Sequence, residues 1–123
     1  MADFEILGIV EVQRGLEEAV RRVWNDVAAA LEKEAQRVLE LAQKRTPVKT
    51  GALRDSGQVH PAEITRDGIS VTISFGTEAV MYAIVVHESL HVRHLNGEAK
   101  FLEKTMLEQA PSVMANIASM VRL

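Results

Sequence analysis

Apolar residues recur at helical spacing through the first third of the chain. Leu16, Val20, Val23, Val27, Leu31, Val38 and Leu41 stand three, four or seven residues apart, which places them on one face of an α-helix. Arg14, Glu17, Arg21, Arg22, Asp26, Lys33, Arg37 and Lys44 take the other face. The pattern predicts a helix from about Glu11 to Arg45. Glu17–Arg21, Glu18–Arg22 and Glu40–Lys44 are i,i+4 pairs in the favourable order, each adding a few tenths of a kcal/mol. Such a helix would be roughly 50 Å long, against a diameter nearer 30 Å for a small domain. Part of it is therefore expected to project or to pack on a neighbouring subunit, where Ala28-Ala29-Ala30 would permit close approach. Trp24, beside Val20 and Val27, reads as core. Ahead of the helix, Asp3 to Leu7 suits a short strand, with Gly8 as the break.

The pattern then changes. Thr46-Pro47 should end the helix, because the residue before a proline is pushed out of the α region. Gln58 to Thr65 and Ile69 to Phe75 are rich in β-branched residues and are joined by Arg66-Asp67-Gly68, a hairpin signal. Ile69, Val71, Ile73 and Phe75 alternate with Ser70, Thr72 and Ser74, the period of a half-buried strand. Pro61 pushes the first run towards a sheet edge. Ala79 to Glu88 is apolar without clear period and suits either a strand or a short helix. Asn96-Gly97 breaks the chain. Ala99 to Val121 returns to helical spacing, with Phe101, Leu102, Met106, Val113, Ile117 and Met120 as core candidates and Pro111 expected to kink the helix or start another. The implied architecture is α+β: a long N-terminal helix and a C-terminal helix packed on a small, mostly antiparallel sheet.

Composition narrows the function classes. The 123 residues suit a single domain, 1–123, and no repeat, low-complexity tract or linker divides them. The net charge of −3 argues against a dedicated nucleic-acid binder. The chain has no cysteine, so disulfides and cysteine-ligated zinc are excluded. No apolar run is long enough to span a bilayer. No secretory signal is visible, so the protein is expected to be made in the cytoplasm and to be soluble there.

Two segments carry candidate chemistry. His87-Glu88-Ser89-Leu90-His91 satisfies HExxH, which on a helix sets two imidazoles one turn apart for Zn²⁺ with a glutamate to activate water. His94 adds a third imidazole, but residues seven apart on a helix lie roughly 10 Å apart, too far to share bonds of about 2.0–2.1 Å without strain. The extended HExxHxxGxxH form is also unmet, since His94 stands where glycine belongs and Gly97 where histidine belongs. A solvated, His-rich loop is the plainer reading, with no cofactor and no catalysis. Lys44, Arg45, Lys49 and Arg54 form a basic cluster with no acid between Leu41 and Arg54. It would suit phosphate in a nucleic-acid-binding module, or merely complement a helix C-terminus.

Three segments together resemble the head–tail joining or tail-completion proteins of long-tailed phages. Thr46-Pro47-Val48-Lys49-Thr50-Gly51-Ala52-Leu53-Arg54-Asp55-Ser56 is similar to that family's "TPvdTGaLrnS" signature, placed after a long helix. Tyr82-Ala83 to Glu88 resembles its "YAxyvExG" segment, and Lys100-Phe101-Leu102-Glu103-Lys104 its "PFLrpA" entry into the last helix. Phe4 to Val12 also fits the family's opening. The chain departs at Leu90, where the family has glycine, and at Lys100 and Thr105, where it tends to proline and alanine. The resemblance implies a structural virion protein, a subunit of a ring between the capsid connector and the tail tube. Its partners would be other copies of itself, a head-completion protein and the tail tube protein, with genome DNA passing through the ring and no membrane. Pro47, Thr50, Gly51, Leu53, Arg54, Ser56, Tyr82, Glu88, Phe101 and Leu102 are its motif residues. Read physically, Pro47 stops the helix, Thr50-Gly51 permits a turn, Leu53 anchors in the core, and Arg54 can reach carbonyls or a carboxylate such as Glu88. The polar stretch Ser89 to Glu98 reads as a partner-docking loop presenting Leu90, His91, Arg93, His94 and Asn96.

Overall fold

In a computed structural model, residues 2–46, 51–66, 68–76, 78–87 and 89–121 are described, with side chains from Glu11 onward except Val12 and Gln13. The fold is α+β. Helix α1 runs over Ala2–Arg45, so the strand expected at Asp3 to Leu7 is helix instead. Gly8 does not break it, since one glycine costs only about 1 kcal/mol in a helix interior. At 44 residues α1 is about 66 Å long. It stops before Thr46, whose hydroxyl donates to the Ala42 carbonyl at 3.0 Å. A short helix α2 (Gly51–Asp55) follows. Then come β1 (Gln58–Val59), β2 (Glu63–Thr65), β3 (Gly68–Phe75), β4 (Val80–Val86), β5 (Leu90–Asn96) and α3 (Lys100–Met120).

The sheet is antiparallel in the order β1-β3-β4-β5, with β2 pairing β3 beside β1. Pro61 lies between the two edge pieces, where no ladder hydrogen bond is asked of it. Alternation in β3 sends Ile69, Val71, Ile73 and Phe75 to the core. Their partners Val86, Ile84, Tyr82 and Val80 extend that face across β4. The apolar stretch that suited strand or helix is thus a central strand. Leu90 and Val92 of β5 complete the face and pack on the core.

Both helices lie on this face. Their order is antiparallel: Arg45 meets Thr105 and Glu108, Arg37 meets Gln109, and Glu34 meets Asn116. The buried stretch of α1 is Ala30, Leu31, Glu34, Ala35, Val38, Leu39 and Ala42. Leu16 and Val20, expected on the core face, are exposed instead, because α3 and the sheet end before reaching them. Val23, Trp24 and Val27 are half-buried at the margin. None of the three predicted i,i+4 pairs closes to ion-pair distance among the described residues. From α3, Leu102, Met106, Val113 and Ile117 are buried, Phe101 is half-buried, and Met120 is exposed. Pro111 lies inside α3 without ending it. The carbonyl it leaves unpaired, four residues earlier at Leu107, is on the exposed side, where water can satisfy it.

Inside the α1–α3 contact sits a carboxylate. Glu34 is 5% exposed and accepts from Arg37 Nη2 at 2.9 Å and Asn116 Nδ2 at 2.7 Å. Arg37 Nη1 donates onward to Gln109 Oε1 at 2.8 Å. The charge is fully partnered, which burial requires.

Two outcomes are expected. Gly97 has φ +61°, and a Cβ there would run into the Ala79 carbonyl, so Gly97→Ala should lower stability by about 1–3 kcal/mol. Gly51, by contrast, opens a helix with nothing nearer a Cβ than Arg54 Nη2 at 3.9 Å; Gly51→Ala should leave the melting curve within about 0.5 kcal/mol. Equal effects in urea titration would contradict this reading. Separately, Glu34→Ala removes the shared acceptor of Asn116 and Arg37, both half-buried, and should cost about 1–3 kcal/mol by the same titration.

Candidate functional site

The described motif residues after α1 tie that helix to the sheet. Gln43 on α1 donates its amide to the Arg54 carbonyl at 3.1 Å. Ser56 Oγ donates to the Leu53 carbonyl and accepts the Gly76 N–H, both at 2.6 Å. Through Ser56 the end of α2 is therefore fastened to the β3–β4 turn. Gly57 sits where a Cβ would collide with Leu39 of α1 and Phe75 of β3, so glycine lets the chain pass between helix and sheet. Leu53 is half-buried and packs on the core. Gly51 opens α2 without a left-handed conformation, and the rest of the turn expected at Thr50-Gly51 lies outside the described residues. Arg54 is exposed and pairs with neighbouring Asp55 at 3.4 Å. Pro47, Thr50 and Glu88 lie outside the described residues.

The other motif residues hold the core. Tyr82 is buried and its ring lies 4.9 Å from that of His94. Phe101 meets Phe75 edge to face at 5.3 Å, a favoured aromatic geometry. Leu102 is fully buried.

Ser89 to Glu98 is mostly strand, not loop. β5 pairs with β4 along its length, with a register shift at Met81/Tyr82. Its backbone thus finds partners that a loop reading denies it. Its polar residues are tolerated because it is an edge strand, most of it exposed. His91 and Arg93 oppose Val85 and Ala83 on the sheet face away from the helices, whereas His94 opposes Tyr82 on the core-side face and donates from Nε2 to the Gly97 carbonyl. Asn96 Nδ2 donates to the carbonyls of Glu78 and Ala79 at 3.1 and 3.4 Å. Glu78 there has φ +71°; the Asn96 amide holds that turn in place.

This geometry bears on both chemical readings. Of the HExxH segment, His87 and Ser89 are bends after β4 and Leu90 and His91 open the edge strand β5, so the described residues are not helical, and His91 and His94 face opposite ways. Among the described residues no group of three or more histidines and carboxylates is placed to hold a metal. In the basic cluster, Arg45 is engaged by Glu108 at 2.5 Å and by Thr105, and Arg54 by Asp55. Lys44 is exposed and Lys49 lies outside the described residues. Folding thus brings one distant acid, Glu108, to Arg45, while Arg54 pairs with its sequence neighbour.

Glu34 has Arg37 three residues on, but its other partner, Asn116, lies 82 residues away, beyond what local spacing reveals. A carboxylate in phase with Leu31 and Val38 was the available signal. Two open apolar surfaces were also unforeseen. One is a cleft of about 140 Å³ between Val23, Trp24 and Val27 of α1 and Ile69, Val86 and His87 of the sheet. The other is the outer side of α3, where Leu107 and Met114 are exposed. No helix among the described residues is long and apolar enough to cross a membrane.

The class is that of a structural component of long-tailed phage particles, as the match to a family model shows. The chain belongs to the HK97-gp10-like family: the model described as "Bacteriophage HK97-gp10, putative tail-component" matches residues 11–104. No curated protein and no solved structure matches the chain.

Protein purified without a His-tag is expected to contain far less than one zinc per chain by elemental analysis. Its melting temperature should not respond to a chelator. About one zinc per chain, with chelator-sensitive melting, would restore the metal reading.

Proposed function

We propose that this chain is a non-catalytic subunit of a closed ring at the head–tail junction, a neck or tail-completion protein that joins the capsid connector to the tail tube. Membership of a phage tail-component family supports a virion role. The observation that carries the ring is the length of α1. Its described side chains from Glu11 to Arg22 are exposed except for Ala19, and Leu16 and Val20 among them are apolar. A helix costs more to hold out in water with apolar residues uncovered than to lay on a neighbour. In a closed ring every subunit has such a neighbour, contacted through two different complementary patches.

The exposed side of β5 is the second element of the proposal. Leu90 is half-buried and both His94 and Asn96 are engaged within the protomer, so His91 and Arg93 are the residues left to meet a neighbouring virion protein such as the connector or the tube. An edge strand with unpaired backbone groups also offers hydrogen bonds to an incoming chain. Genome DNA would pass through the ring's opening.

Deleting the gene from the phage should leave filled heads and separate tails, seen by electron microscopy, and purified wild-type virions should contain the chain in several copies. Infectious particles lacking the chain would overturn the proposal. In dilute solution without partners the chain should scatter light as a monomer, because a ring that closed early would block ordered assembly. Arg93→Glu should leave melting unchanged and reduce joined particles at least tenfold; full titre would remove β5 from the docking surface.

A further inference from the structure

Helix α1 changes composition where its support begins. From Val23 to Arg45 it contains no glycine or proline and is rich in alanine and leucine, the residues that favour a helix most. From Ala2 to Arg22 it contains Gly8 and Gly15, the only glycines inside a helix of this fold apart from Gly51, which opens α2. The glycines at 57, 68, 76 and 97 answer a close approach or a left-handed backbone. Gly15 answers neither: a Cβ there would meet nothing within 4 Å.

Nothing in the protomer makes good what the glycines lose. Of the described side chains from Glu11 to Arg22, all but Ala19 are exposed. None of them makes a hydrogen bond or an ion pair. The first residue of α1 to pack on the core is Trp24. Backbone hydrogen bonds alone therefore hold the helix ahead of Val23.

Those bonds are weak support. An extension from a packed turn needs no nucleus, but each residue multiplies the helical population by only about 1–1.6, even for good helix formers near 0 °C. Each glycine lowers it about fivefold relative to alanine. The segment can thus open without disturbing the core, whereas exposing the backbone of Leu31 to Ala42 requires unpacking α3 and the sheet.

We infer that Ala2–Arg22 is a conditional helix, which opens and closes independently of the fold in the free subunit and is held closed in the ring, where a neighbouring copy of this chain lies against it. The ordering on assembly rests on the ring reading; the opening in the free subunit does not. The cost of ordering is then met at assembly and weakens contact between free subunits. They stay apart until a connector gathers them at high local concentration.

Hydrogen exchange on the free subunit, read by mass spectrometry, tests the opening. Amides from Leu16 to Arg22 should exchange at least a hundredfold faster than those from Leu31 to Ala42. Rates within tenfold of each other would overturn the inference. Gly15→Ala should slow the Leu16–Arg22 amides about fivefold and leave the core amides unchanged; no slowing would show that helix propensity does not set the opening. Trypsin tests the ordering, because Arg14, Arg21 and Arg22 are exposed in the segment. Cutting at these arginines should be at least tenfold slower in joined particles than in the free subunit. Equal cutting in joined particles that contain the chain would overturn the ordering while leaving the ring reading intact. Infectious particles lacking the chain would overturn the ring reading and the ordering with it, and the exchange rates would still decide the opening.

Discussion

Only the second half of α1 has a core to pack on, and the rest of the molecule is arranged around that constraint. From Ala30 to Ala42 the helix meets α3 on one side and the inner face of β3 on another, so its buried surface is wider than a single stripe. Ala30, Ala35 and Ala42 make room for both neighbours, since a methyl side chain lets backbones approach closely. Glu34 is placed in the same contact and is held by Arg37 and Asn116. Its burial contributes geometry more than net stability, because desolvating a charge costs about what its partners return. Glu34 and Asn116 can meet in only one axial alignment of the two helices.

The family motif works as structural hardware. Ser56 fastens α2 to the β3–β4 turn, Gln43 fastens α1 to α2, and Gly57 lets the chain cross between Leu39 and Phe75. Tyr82, Phe101 and Leu102 fill the space that this frame encloses. Further along α1, Glu32 Oε1 accepts the Ala62 N–H at 2.7 Å, and His60 Nε2 meets Ser74 Oγ at 2.8 Å, so even the broken edge β1–β2 is pinned. Of the polar residues that looked chemical, Arg45, Arg54 and His94 are spent on links within the protomer. What they leave free is a set of surfaces: the projecting part of α1, the exposed side of β5 and the outer side of α3.

Local pattern was enough where a segment's environment is uniform along its length. The alternation Ile69 to Phe75 announced β3 because one face is core throughout. The Asp-Gly signal announced the hairpin because Gly68, at φ +122°, takes a conformation other residues resist. Thr46-Pro47 marked the end of α1. The candidate site was legible to the extent that its motif residues are local: Leu53 and Ser56 act within a few residues of each other. Glu34, Gln109 and Asn116 were illegible because the contact joins residues that the chain keeps far apart.

By itself, then, the sequence determined the element types wherever hydrophobic period, turn chemistry or proline acts over a few residues, and with them the α+β class. Tertiary structure alone decided the rest. It made β4 a strand, because an apolar run buried centrally has no period of its own. It made polar Leu90–Asn96 a strand, because pairing with β4 satisfies a backbone whose side chains read as a loop. It left Leu16 and Val20 in water although they share a face with Leu31 and Val38, since burial depends on where the neighbouring elements end. It carried α3 through Pro111, because packing of Met106, Val113 and Ile117 on α1 outweighs one lost hydrogen bond on the solvent side. Period is a property of a segment; burial is a property of its surroundings.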